Sequence, residues 1–330
     1  MMTLATQETA HPVDIFDEIR AGIRFVADRA THVRIREDRL NAYALSLQPR
    51  PPSNTLDTTH HFTAQDPEVL ATYILCLEAV NFGSGYEDDL VREGWPRIDN
   101  SLYFTVSTAL KKSFETDGAW TAKKISGMTV DDMHAVFMLP MERMGRMLAT
   151  QFSESLNELG AFITKDYNES FKPLVESANG KASSLVAILG ALPGFHDVVH
   201  YQGRDVQILK RAQIAASDLN LAFEQKGETL FSDIDRLTIF ADNGLPHVLR
   251  LDGILELHPD LERRIKAGSF ISAGSDEEVE LRCCAAEAVE RLAAIKGMRV
   301  VDIDHILWHR SVEDPKYLEC AAHRTLTRFY

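Results

Sequence analysis

The sequence predicts a mainly α-helical protein carrying one small β-hairpin. Three observations lead there. Apolar residues recur at helical spacing, with charges between them, through most of the chain. Several of these runs begin at residues that cap helices. Strand-like patterning is concentrated in one place: Val198-Val-His-Tyr201, then Gln202-Gly203, then Val206-Gln-Ile-Leu209. β-rich runs on either side of a Gly-bearing turn read as a hairpin.

The first helical stripe is Phe16, Ile19, Ile23 and Val26. Arg50–Asn54, with Pro51 and Pro52, reads as a loop. Asp66-Pro67 opens a second helix through Leu70, Ile74, Leu77 and Val80, since Pro suits a first turn. Ser101-Leu-Tyr-Phe-Thr-Val106 fits either a short strand or a helix start, and Asp117–Ser126 reads as a loop. Thr129 with Asp132 resembles an N-cap and an acidic first turn ahead of Met133, Val136 and Phe137. Lys210-Arg211 open a helix after the hairpin. Ser275-Asp-Glu-Glu278 fits a capping box before the stripe Leu281, Ala285, Ala288, Leu292 and Ile295, with Gly297 as the stop. Without an internal repeat, low-complexity tract or linker, residues 1–330 read as a single domain, with two helical lobes around a cleft.

A chain of 330 residues, 45% hydrophobic, can bury one large core. Its net charge of −14 repels phosphate backbones, which argues against a nucleic acid polymer as partner. Cys76, Cys283, Cys284 and Cys320 form no CxxC pair and read as reduced thiols rather than a disulfide framework or zinc site. Met1 to Val13 lacks the basic and apolar regions of a signal peptide, and no stretch approaches the roughly 18 apolar residues of a membrane span. The expectation is a cytoplasmic protein with no membrane association and no evident obligate protein partner.

Four clusters could carry chemistry. Asp242 follows the apolar Leu237, Ile239 and Phe240 and precedes Asn243-Gly244 and Pro246. It either caps the next helix or stands in a partly dry cleft, where a carboxylate has most leverage on a developing cation. Lys210 and Arg211, with Asp218 two turns on, are either solvated charges or cations for a phosphate. Asp304 and Trp308 share a helix face. They fit a flat base with polar edges, or an N-cap (at Asp302 or Asp304) and a core tryptophan. His60-His61 are loop histidines or base contacts, without the partners of a zinc site. There is no GxGxxG, Walker A, GxSxG or HExxH motif.

At these same residues the sequence resembles the queuosine salvage family. The likeness runs from roughly Leu56 to Tyr330. It rests on Leu77-Glu-Ala-Val-Asn-Phe82, Lys210-Arg-Ala-Gln-Ile214, Ile239-Phe-Ala-Asp242 with Leu245-Pro246, and Glu278-Val-Glu-Leu-Arg282. Asp304 with Leu307-Trp308 and the terminal His323-Arg-Thr-Leu-Thr-Arg-Phe-Tyr330 complete it. The resemblance implies a mainly α fold like that of helix-hairpin-helix DNA glycosylases. It implies hydrolysis of a small modified nucleotide, queuosine 5′-phosphate, to queuine and ribose 5-phosphate, with no metal or organic cofactor. Asp242 is then the catalytic candidate. Asp218, Asp304, Phe240, Trp308, His60 and His61 are candidates for ribose or base, and Lys210, Arg211, His323 and Arg324 for phosphate. Glu278 or Glu280 could add negative charge for the base's ammonium, or merely finish a helix cap. Two stretches depart from the family pattern, Gly83-Ser-Gly-Tyr86 and Asn243-Gly244. They keep open the nucleoside or another 7-deazapurine nucleotide as substrate, and a non-catalytic nucleobase-binding protein as the alternative.

Overall fold

The computed structural model describes residues 14–49 and 56–330. The expectations for Met1–Val13 and Arg50–Asn54 therefore lie outside the described residues. What is described is mainly helical, with two small antiparallel sheets. The chain opens with α1 (Ile15–Ala27), β1 (Val33–Ile35) and α2 (Glu37–Ser46). In α1, Asp14 accepts from the Phe16 N–H, and Phe16, Ile19, Ile23 and Val26 form the buried face. α3 (Pro67–Ala79) begins at Pro67 with Asp66 as its cap, and is buried nearly all round.

Next come α4 (Glu87–Arg92), α5 (Leu102–Asp117), α6 (Ala122–Ile125), α7 (Val130–Phe137) and α8 (Arg143–Asp166). Ser101 resolves its own ambiguity: its hydroxyl accepts from the Phe104 N–H, so the segment is helix α5, not strand. The stretch Asp117–Ser126 is not all loop, because Thr121 caps the short α6 within it. Thr129 and Asp132 close a reciprocal capping box on α7.

After α9 (Lys172–Ser177) and α10 (Ala182–Gly190) come β2 (Val198–Tyr201) and β3 (Arg204–Gln207). The hairpin is present, but its second strand lies two residues earlier than the sequence pattern suggests. Gln202 and Gly203 both take positive φ in a two-residue turn, so pairing resumes at Arg204 directly.

The remainder is α11 (Lys210–Glu224), α12 (Gly244–Leu251), β4 (Leu255–Leu257), α13 (Pro259–Lys266), α14 (Asp276–Lys296), α15 (Val300–Glu313) and α16 (Pro315–Leu318). In α14, Ser275 accepts from the Glu278 N–H, but Glu278 turns back to the Gly274 N–H, so the capping box is half made. Gly297 ends the helix at φ 69°, while Ile295 at the foot of the stripe is 39% exposed. α15 starts after Arg299, which places Asp302 and Asp304 inside the helix rather than at its cap.

α14 is the hub for α1, α2, β1, α12 and α15, whereas α8 gathers α3, α6 and α7. α11 packs on α3 and α10. Cys76, Cys283 and Cys284 are buried free thiols and Cys320 is exposed. Among the described residues, no helix is long and apolar enough to cross a membrane.

Candidate active site

A cleft of about 1410 Å³ is lined from α5, α11, α12, α15 and the loops before them. Among its walls are Asp218, Phe240, Asp242, Asp304, Trp308 and Lys210. Lys210 and Asp218 of α11, Phe240 and Asp242 of the 237–243 loop, and Asp304 and Trp308 of α15 thus share one space.

Asp242 divides its work between two oxygens. Oδ1 accepts from the Gly244 N–H at 2.7 Å and the Leu245 N–H at 3.4 Å, capping α12. Oδ2 lies 4.0 Å from Lys210 Nζ. Both readings of Asp242, helix cap and cleft carboxylate, therefore hold together. Burial pulls the Lys210 ammonium down, opposed by Asp242 and Glu78.

A fixed framework sits beneath the pair. Arg282 is fully buried and donates to both oxygens of Asp197, at 2.9 and 2.6 Å. Its Nε donates to the Ala241 carbonyl at 2.9 Å, one residue before Asp242. Asp197 Oδ2 also accepts from the Lys210 N–H at 3.2 Å. One guanidinium thereby sets the positions of Asp242 and of the first residue of α11. Against the pull of burial, Asp197 and Glu278 hold that guanidinium charged.

Asp304 accepts from the Phe240 N–H at 2.7 Å, and burial pushes its carboxyl up to about 7, with Asp242 adding to the rise. Burial likewise lifts Asp218 to about 7, opposed by its neighbours Glu78, Tyr103 and Lys210. Aromatic rings line the same cleft. Trp308 meets Tyr103 edge-on at 5.9 Å and Phe104 at 5.3 Å. Such a wall suits a flat heteroaromatic ligand. Tyr103 and Phe104 escaped the sequence reading, although an N-cap serine followed by two aromatics on a first turn is a usable signal.

His60 and His61 are buried, not solvated. His60 stacks on Phe104 at 4.2 Å between Asp57 and Asp99, with Asp99 at 3.0 Å. His61 Nδ1 donates to the Asp57 carbonyl at 2.9 Å, so Nε2 accepts from the Tyr103 hydroxyl at 2.7 Å. Burial lowers the His61 pKa, which fits that neutral tautomer.

The phosphate candidates separate. Arg211 does not line the cleft. Its guanidinium donates to the backbone carbonyls of Glu78, Ala79 and Gly194 and lies against the rings of Phe82 and Phe195. His323 is also off the cleft wall, and burial drives its pKa down to about 3, so it offers no cation. Arg324 reaches the wall but is engaged by Asp89 and the Gly85 carbonyl. Lys210 is the candidate that both lines the cleft and faces Asp242. Glu280 accepts from the N–H groups of Thr31, His32 and Val33 and from the Tyr201 hydroxyl, so it anchors β1 and not a ligand. Glu278 is held by Gly274 and Arg282.

The departing glycines divide likewise. Gly85 lies against the C-terminal tail: a Cβ there would sit 2.0 Å from the Thr325 carbonyl oxygen. Asn243 and Gly244 line the cleft itself.

Known proteins resemble this chain over most of its length. The family model described as queuosine salvage protein matches residues 60–330. A Sphaerobacter thermophilus protein named queuosine 5′-phosphate N-glycosylase/hydrolase is 33% identical over 270 residues, covering 80% of this chain and 82% of its own. Proteins of the same name from Dictyostelium discoideum and Mus musculus are 32% and 26% identical, covering 80% and 82% of this chain and 79% and 82% of their own. A match of this extent means that this chain belongs to the queuosine salvage protein family.

Proposed function

We propose that this protein hydrolyses the N-glycosidic bond of queuosine 5′-phosphate, releasing queuine and ribose 5-phosphate, with Asp242 as the catalytic carboxylate. The observation that carries the reading is the divided carboxylate of Asp242: one oxygen locked by backbone N–H groups, the other at the cleft beside Lys210. Glycoside cleavage passes through an oxocarbenium-like sugar. The free oxygen of Asp242 stabilises that charge, or orients and deprotonates the attacking water. The base stacks among Trp308, Phe104 and Phe240, with Asp218 and Asp304 on its polar edge or the ribose. Queuine is a 7-deazaguanine, so N7 protonation does not assist its departure. The sugar's positive charge then carries more of the burden, which makes a preorganised anion the central device.

The 5′-phosphate contacts Lys210, and its binding energy positions the ribose against Asp242. The helical scaffold is related to that of helix-hairpin-helix DNA glycosylases, and superposition of an experimental structure on one of them tests that relation. The activity test incubates purified protein with queuosine 5′-phosphate, queuosine and guanosine monophosphate and follows free base by mass spectrometry. Release from the first, much faster than from the others, is expected. Equal rates for nucleotide and nucleoside would remove the phosphate contact, and no release would leave a binding protein.

A further inference from the structure

Behind Asp218, on the side away from the cleft, lies a second carboxyl. Glu78 on α3 is wholly buried and does not line the cleft, whereas Asp218 does. The two side chains are within hydrogen-bond reach. Glu78 Oε2 accepts from Asn81 Nδ2 at 2.8 Å, but Oε1 is buried and meets no donor among the described residues. Two ionised carboxylates can only accept, so a hydrogen bond between them requires a proton. A proton on Glu78 gives Oε1 its partner and gives Asp218 a donor.

We infer that Glu78 and Asp218 form a one-proton pair in which Glu78 keeps the proton and positions Asp218 as the charged member facing the ligand. Other groups around the pair agree with that division. Tyr103 on α5 stands 3.4 Å from Asp218, but its proton is directed to His61 Nε2 at 2.7 Å. Tyr73 on α3 adds no cation, and Arg211 on α11 is committed to backbone carbonyls. Lys210 is the cation shared by both carboxyls. Glu78 lies deeper, has the higher intrinsic pKa of the two residue types and is raised further by burial and by Asp218. Asp218 touches the cleft and its water. It would therefore select a ligand edge rich in hydrogen-bond donors or bearing an ammonium. That role for Asp218 rests on the proposed function, whereas the location of the proton does not.

The proton is tested on the free protein by infrared spectroscopy, at a pH more than a unit above the value of about 7 held by Asp218 and Asp304. The carbonyl stretch of a protonated carboxyl should persist in wild type and vanish in Glu78→Gln. Its absence from wild type, or its survival in Glu78→Gln, overturns the pair. Positioning is tested on the acid limb of kcat/KM. Glu78→Gln still donates to Asp218 and keeps the limb in place. Glu78→Leu removes the donor and moves the limb about one to two units higher. Identical limbs in all three proteins would assign Glu78 to packing alone, and a shift to lower pH in both variants would place the proton on Asp218. If no base is released at all, the proposed function fails while the spectrum still decides where the proton resides.

Discussion

Replacing Asp242 by Asn separates the two jobs of this side chain. Asn Oδ1 can still accept from the Gly244 and Leu245 N–H groups, so the cap on α12 survives. What is lost is the charge on the oxygen 4.0 Å from Lys210. Unit charges about 4 Å apart interact by about 4 kcal/mol at an effective dielectric constant near 20. A sugar carrying at least half a positive charge would then lose about 2–4 kcal/mol of stabilisation, or roughly thirty- to a thousandfold in kcat. Single-turnover release of base by mass spectrometry measures that loss, and thermal denaturation confirms the fold. Asp242→Ala should add about 0.5–2 kcal/mol of destabilisation, since the cap goes too. A folded Asp242→Asn variant with near wild-type turnover would refute the catalytic role.

Five further variants have expected outcomes. Lys210→Met should lower the nucleotide-to-nucleoside ratio of kcat/KM at least tenfold for each roughly 1.4 kcal/mol that the ammonium supplies to the bound phosphate, whereas Arg211→Met should cost about 3 kcal/mol of stability in urea titrations by orphaning buried carbonyls. Two groups should tilt stability with pH in opposite senses. Asp304 rises from 3.8 to about 7, so its contribution is full below the unfolded value and is lost as pH climbs through 7; Asp304→Asn should stabilise above neutrality and not below pH 4. His323 falls from 6.5 to about 3, so its contribution is present above the unfolded value and is lost as pH drops; His323→Gln should flatten the acid side of the same denaturation profile. Gly85→Ala should destabilise by about 1–3 kcal/mol, because the added methyl meets the Thr325 backbone, and should raise KM by shifting the wall at Arg324 and Tyr330.

Helices whose apolar stripe is flanked by a capping residue were legible in the sequence, as in α1, α3 and α7. Short elements fixed by local side-chain bonds were less so: α6 depends on Thr121, and the hairpin register on two positive-φ residues. In the cleft, Asp242 was singled out by the apolar run before it, and Asp304 with Trp308 by their spacing of four on one helix face and by the family resemblance. Lys210 and Arg211 looked alike as neighbouring charges, yet consecutive residues on a helix point about 100° apart. One faces the cleft and the other the core. Arg282 and Asp197, 85 positions apart, meet only through the fold, and no local pattern announces such a pair.

The hub helix also has a consequence for synthesis. α1, α2 and β1 are made before α14, yet they pack on it, and β1 pairs with β4 from Val33↔Leu257 to Ile35↔Leu255. α14 and β4 emerge more than two hundred residues later, after α10 and β3, which also reach α1. At about 5–20 residues per second, α1 waits roughly ten seconds to a minute for the helix that completes its packing. Long-range closures of this kind slow folding. The newborn chain therefore keeps part of this apolar face open until α14 arrives, and that arrival is what completes the amino-terminal packing.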